Sequence, residues 1–251
     1  MSKEMNHLCE FVLDTARNKG SDDCKVSFNK RRFVEVQYRD HKPETVKEAV
    51  TQGINIDVYV NGCYSAQSTA DLRKDALKTF VSNLIESAKL LEKDPYRSLP
   101  DPEYYKGRRE IDLQLLDPDY DKVTPERRHT MAKELEDACR QAGGKSVISA
   151  TSQVYDDFQE ETVLTRDGFQ GETRSSVCYA FVEMTAQDAG DRRPNGYSYA
   201  VNRSMKNLPS CSGIGRTAAE RTLQLMGSIK LATETLPIII ENQNVGRILN
   251  G

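Results

Sequence analysis

Tryptophan is absent from the 251 residues, and histidine occurs only at His7, His41 and His129. A helical zinc site needs two histidines on one face with a carboxylate nearby, and neither the HExxH nor the HExxxH spacing occurs. His7 falls in a helix, His41 in a polar turn and His129 among charges on a helix, so all three read as surface residues. No stretch approaches the roughly 18 consecutive apolar residues of a membrane-spanning helix. The opening Met1-Ser2-Lys3-Glu4-Met5-Asn6-His7 is polar and does not resemble a signal peptide.

A surplus of positive charge is also missing. The net charge is −3 and the isoelectric point about 5.8. The basic residues come in scattered pairs, Arg31-Arg32, Arg108-Arg109, Arg127-Arg128 and Arg192-Arg193, not in the single stripe that releases counterions from a phosphate backbone. Direct nucleic-acid binding is not expected. Cysteine lacks pairing: Cys9, Cys24, Cys63, Cys139, Cys178 and Cys211 are spread evenly with no CxxC, which predicts reduced, buried thiols and a cytoplasmic home.

Nor is there a GxSxG elbow or the strict Rossmann fingerprint. Gly213-Ile214-Gly215 before a helix could cradle an anion, but reads better as turn chemistry. The acidic pairs Asp22-Asp23, Asp156-Asp157 and Glu160-Glu161 lack calcium-loop spacing. The polar loop at 188–195, with Gly190, Arg192, Arg193 and Pro194, reads as a disordered hairpin tip rather than a cover over a substrate path. No residue is therefore expected to be catalytic, cofactor-binding or metal-ligating.

What is present is secondary-structure patterning of an α+β protein. Met5, Leu8, Cys9, Val12, Leu13 and Ala16 have helical spacing over 3–18, closed by Lys19-Gly20. Strand-like runs follow at 24–29, 33–38, 45–50, 54–60 and 63–67, with Asn61-Gly62 the strongest hairpin signal. Ser68-Thr69 predicts the cap of a second helix running to Glu92. The Pro- and Tyr-rich stretch from Asp94-Pro95 through Leu99-Pro100-Asp101-Pro102 reads as an extended linker.

A short run at 111–116 precedes a second copy of the plan. Thr124 caps a helix with Pro125 at its first position, extending to Ala142, and Gly143-Gly144 ends it. Strands are predicted at 146–155, 160–165, 171–185 and 197–202, with a turn at Asp167-Gly168, and a helix follows Ser212-Gly213-Ile214-Gly215. Both units end on a helix laid after a tyrosine-bearing strand, which suggests a duplication. The expected organisation is an α+β module over 1–93, a linker over 94–110, a second module over 111–234, and the start of a further β-rich domain over 235–251. There Leu236-Pro237-Ile238-Ile239-Ile240-Glu241 reads as a buried strand without a partner, an aggregation-prone edge unless the tail folds back.

The order of motifs resembles the TldD/PmbA family, named for modulation of DNA gyrase and understood as a metallopeptidase system. The residues that carry the resemblance are the stretch from Gly53 through Val60 into Asn61-Gly62-Cys63-Tyr64-Ser65-Ala66, Lys93-Asp94-Pro95, Leu115-Leu116-Asp117-Pro118, the Arg166-Asp167-Gly168 turn, 215–227 and Pro237-Ile238-Ile239-Ile240-Glu241. The resemblance implies two N-terminal modules before a large β-rich domain, and paired subunits, TldD and TldE (PmbA), around a proteolytic chamber that takes small or unfolded peptides. The zinc-bearing subunit carries HExxxH after a turn matched here by Gly246-Arg247-Ile248-Leu249, where this chain continues Asn250-Gly251. It implies the non-metal PmbA/TldE type, with the C-terminal domain missing, inactive alone, and zinc only in a TldD-like partner subunit. A partner-binding module recruiting chains through its sheet edges, or a regulator of DNA gyrase, are the alternatives.

Overall fold

The first apolar stripe folds as read. In the computed structural model, which describes residues 3–109 and 111–249, helix α1 spans Lys3–Asn18 and buries Met5, Cys9, Val12 and Ala16 on one face. Strands β1 (Asp23–Arg39), β2 (Lys42–Val60) and β3 (Cys63–Thr69) follow, then α2 (Lys74–Ala88). After the linker come α3 (Pro125–Gly143), β4 (Val147–Thr165), β5 (Gln170–Ala186), β6 (Asn195–Asn202) and α4 (Cys211–Gln224). A last helix, α5, spans Asn242–Leu249.

Three of the long strands, β1, β2 and β4, are each single where the sequence suggests two runs, because their polar midsections pair with one another. Arg31 lies opposite Gln159 and Arg32 opposite Phe158, and Arg31 Nε donates to Asp157 at 2.5 Å. Polar cross-strand pairs of this kind sustain a ladder that single-strand hydropathy reads as a break. The α2 boundaries also differ from expectation. Ser68 and Thr69 close β3 and cap nothing; the Thr69 hydroxyl accepts from Asp71 N at 3.1 Å. Helix α2 stops at Ala88 because Lys93 bridges to Cys63, whose thiol donates to Leu91 O, drawing the chain back to the sheet. Thr124 does cap α3, accepting from Arg127 N at 3.2 Å, and Pro125 begins it.

All six strands form one antiparallel sheet in the order β3-β2-β1-β4-β5-β6. Its centre is the pairing of β1 with β4, the first strands of the two repeats, from Lys25 opposite Thr165 to Arg39 opposite Thr151. Each repeat is helix, two long strands, a short strand and a helix. The duplication suggested by the sequence is thus visible as two similar halves joined head to head.

Each long hairpin reaches into the other repeat. The β1–β2 turn places Asp40 and His41 at φ 52° and 64°. Asp40 there accepts from Arg140 and from Ser149, while His41 N donates to Glu136 at 2.8 Å. The β4–β5 turn returns the contact: Arg166 donates to the carbonyls of Ser21 and Asp22, and Arg166 N to Cys24 O at 2.9 Å.

Helices α1 to α4 lie on one face of the sheet and cover two cores. Even-numbered residues such as Val26, Phe28, Ile54, Ile56 and Val58 meet α1 and α2, whereas Val36, Val154, Ala180, Val182 and Met184 meet α3 and α4. Strand β1 feeds both cores, and Leu164 of β4 joins the first. The predicted terminal strand is not found: residues 235–241 are irregular, and Ile239 is 99% exposed. A strand needs a neighbour to satisfy its backbone, and no described strand pairs with this stretch. Gly246 and Leu249 lie in α5 rather than a turn, and Asn250-Gly251 lie outside the described residues.

Candidate functional site

The residues singled out for chemistry are dispersed. His7 is exposed on α1 beside Glu10 at 3.3 Å. His41 sits in the hairpin turn 3.5 Å from Asp137, and the His129 ring meets the Tyr38 hydroxyl at 3.1 Å. Among the described residues, no group of three His, Cys, Asp or Glu side chains is placed to hold a metal ion. The donor set among the described residues does not fit a zinc ion. All six cysteines are free and buried. Burial pushes five of the thiols up, Cys9, Cys139 and Cys211 to about 11 and Cys24 and Cys178 to about 12, so these five are not nucleophiles at neutral pH.

Each acidic pair has at least one member engaged. Asp22 accepts from Asn61 N at 2.5 Å, Asp156 pairs with Arg128, Asp157 with Arg31, and Glu160 with Arg174 at 2.9 Å. Gly215 is a packing residue: a Cβ there would stand 2.6 Å from Leu135 O of α3. Gly213 N is taken by the Ser210 hydroxyl at 3.2 Å, which caps α4. The loop after β5 is tied down. Asp188 accepts from Arg192, from Ala189 N and from Gly227 N, and these bonds hold its carboxyl down at about 2. It is not the disordered tip its composition suggests.

The feature that stands out is the face of the sheet that no helix covers. Alternation puts odd-numbered residues there, and seven of them are aromatic: Tyr59 on β2, and a group of six made of Phe33, Tyr155, Tyr179, Phe181, Tyr197 and Tyr199. Tyr155 stacks on Tyr179 with centroids 4.6 Å apart, and Tyr179 on Tyr199 at 5.8 Å. Phe33 meets Tyr155 at 5.5 Å and Phe181 meets Tyr197 at 5.9 Å, so the rings run as one stripe across β1, β4, β5 and β6. Arg31 lies over Phe33 at 5.4 Å and Lys47 at 5.7 Å, closing one end with charge.

Burial among its neighbours pushes the Tyr179 phenol up to about 12 and raises Tyr155 as well. These hydroxyls stay protonated at neutral pH and offer hydrogen bonds, not base catalysis. A flat, aromatic surface with polar tips is suited to packing against another protein surface. In the sequence, 171–185 and 197–202 read only as strands; the aromatics at alternate positions, Tyr179 with Phe181 and Tyr197 with Tyr199, are the signal that marks this face.

The fold, with four helices packed on one six-stranded antiparallel sheet, defines a protein of α+β class. The model of the PmbA/TldA metallopeptidase domain 1 matches residues 24–88, and that of the central domain matches residues 118–226. The chain belongs to the TldD/PmbA family. It is similar to metalloprotease PmbA of Escherichia coli O157:H7, 26% identical over 92% of this chain and 50% of the relative. A PmbA homolog of Haemophilus influenzae is 24% identical over 96% of this chain and 52% of the relative. This chain therefore spans about half the length of the curated relatives it matches. A solved structure from Bacteroides thetaiotaomicron, described as a candidate modulator of DNA gyrase, superposes with a TM-score of 0.86 at 31% identity, covering 92% of this chain and 52% of that one. TldE from Thermococcus kodakarensis shares the fold, with a TM-score of 0.69 at 15% identity over 86% of this chain and 47% of its own.

Proposed function

We propose that the chain is the N-terminal part of a cytoplasmic TldD/PmbA-type subunit, of the PmbA/TldE kind, that carries no metal chemistry of its own. It would serve a zinc peptidase acting on small or unfolded peptides, with zinc held by a TldD-like partner subunit. The observation that supports this most directly is the match of both N-terminal family domains, in order, along the chain. The aromatic sheet face is the surface on which that partner packs. Direct contact with nucleic acid forms no part of the proposal, since the net charge is −3.

The test has two arms. The purified chain with unfolded peptide and zinc should give no chelator-sensitive cleavage; cleavage by the chain alone would overturn the proposal. Co-expression with a TldD-type subunit should yield a complex, and the double variant Tyr179→Lys/Tyr199→Lys should lose it while keeping the parent's far-ultraviolet circular dichroism. Retention of the complex by that variant would remove the aromatic face from the proposal.

A further inference from the structure

In each repeat the chain leaves its second helix and turns back toward the short third strand. After α2 the return is fixed by backbone. Lys93 bridges Cys63, Asp94 N donates to Gly62 O at 3.0 Å, and the Arg97 guanidinium lies 4.3 Å from the centre of the Tyr64 ring, which packs on Tyr59. After α4, among the described residues, the return is held through side chains. Arg192 donates to Ser228 O, and Asp188 accepts from Gly227 N at 2.9 Å. Arg221 donates with one nitrogen to Tyr197 O of β6 at 3.4 Å and with another to Glu241 at 2.6 Å. Glu241, which closes the apolar run, is thereby kept beside β6, while Ile238 and Ile239 stand 82% and 99% exposed.

The outer edge of β6 is open, and register fixes which groups it presents. Pro194 O accepts from Ala186 N, and Met184 lies opposite Gly196, so the even-numbered residues of β6 bond to β5. The backbone groups of Tyr197, Tyr199 and Val201 point outward, as the Arg221 contact to Tyr197 O shows. Among the described residues, no backbone hydrogen bond reaches these three from outside the sheet. The run Leu236-Pro237-Ile238-Ile239-Ile240 is rich in β-branched residues, and one antiparallel register suits it. With Ile240 opposite Tyr197, Ile238 opposite Tyr199 and Leu236 opposite Val201, the residues that must bond all carry an N–H. Pro237, which has none, falls where none is needed. Glu241 then comes opposite Gly196, on the helix side of the sheet, where a Cβ on Gly196 would meet Thr222 beside Arg221. The chain is long enough, since the stretch from Ser228 to Leu236 spans up to about 26 Å when extended. The step along β6 from Asn195 to Val201 is roughly 20 Å.

We propose that residues 236–240 close on the outer edge of β6 as a seventh, antiparallel strand in this register, a strap that Arg221 and Glu241 hold in readiness. Closure places Leu236, Ile238 and Ile240 on the bare face beside Val201, Tyr199 and Tyr197. It lengthens the aromatic stripe with aliphatic side chains and covers the edge that an unpaired β6 exposes. The inference goes beyond the proposed function and does not depend on a peptidase partner.

Amide hydrogen exchange of the full chain, resolved by NMR, tests it. The amides of Tyr197, Tyr199 and Val201 should exchange about tenfold or more slowly in the parent than in Ile238→Pro, which removes the N–H that bonds to Tyr199 O. Ile239→Pro, at a position whose N–H faces away from β6, should keep the parent's protection. The amides of Ser198 and Ala200, which bond to β5, should stay protected in all three proteins and so report an intact sheet. Like behaviour of the two variants would overturn the proposal, as would fast exchange of the three outward amides in the parent. Protection that disappears on dilution would also overturn it, by assigning the added strand to a second copy of the chain.

Discussion

Arg128 of α3 and Asp156 of β4 have side chains 1% and 0% exposed, and they form a two-point pair in which Arg128 Nη2 reaches Asp156 Oδ1 at 3.0 Å. The remaining guanidinium nitrogen donates to Val123 O at 3.0 Å, so the chain entering α3 is held as well. A buried charge that loses its partner keeps the full desolvation cost. Asp156→Ala should therefore destabilise the chain by about 3–5 kcal/mol, measured by urea unfolding. The cysteines give a second expectation at this scale. Burial raises the thiols of Cys9, Cys24, Cys139, Cys178 and Cys211 from an ordinary 9.0 to about 11 or 12, so the unfolded chain ionises first. The stability they contribute is complete below pH 9 and lost as pH rises toward those values. Native protein should react slowly with a thiol reagent at pH 8, and all six cysteines should react in guanidinium; rapid reaction of the native protein would contradict the burial. Cysteine chemistry was legible in the sequence from spacing alone. The partner of Arg128 was not, because an arginine in a charged stretch reads as solvated until the strand beneath it is known.

At the scale of elements, turn and cap signals were the most legible. Asn61-Gly62 forms its hairpin at φ 53° and 81°, and α1 ends at Asn18 where the periodicity stops. Helix α4 packs on α3 through Gly215, a contact the sequence presents only as a glycine near a helix start. Gly215→Ala would press a methyl against Leu135 O and the Ala138 side chain, at 2.6 and 2.8 Å. The expected cost is about 1–3 kcal/mol, read as a lower urea midpoint. The hairpin clasp carries a pH signature. Burial alone would raise the Asp40 carboxyl, but Ala150 N, the Ser149 hydroxyl and Arg140 together hold it below its ordinary 3.8. Its contribution is complete above that value and lost as pH falls through the depressed one. The difference in melting temperature between the parent and Asp40→Asn should accordingly shrink below pH 4; a constant difference would argue against the clasp.

At the scale of the whole molecule, the central pairing of β1 with β4 turns two repeats into one sheet, and β1 lends side chains to both cores. Thermal unfolding should be a single cooperative transition with coincident circular dichroism and fluorescence signals; two resolved transitions would mean that the repeats unfold independently. The amino-acid sequence by itself determined the α+β class, the repeated element order, the hairpin turns and the reduced state of the cysteines. These depend on periodicity, turn residues and spacing, all local along the chain. Only the tertiary structure decided that the repeats share one sheet, that Phe33, Tyr155, Tyr179 and Tyr199 gather on a bare face, and that Arg221 links Tyr197 O of β6 to Glu241. Each of these depends on which strand lies beside which and on the side where the helices pack. Those choices are made by contacts between residues as far apart as Arg31 and Asp157, and no local pattern encodes them.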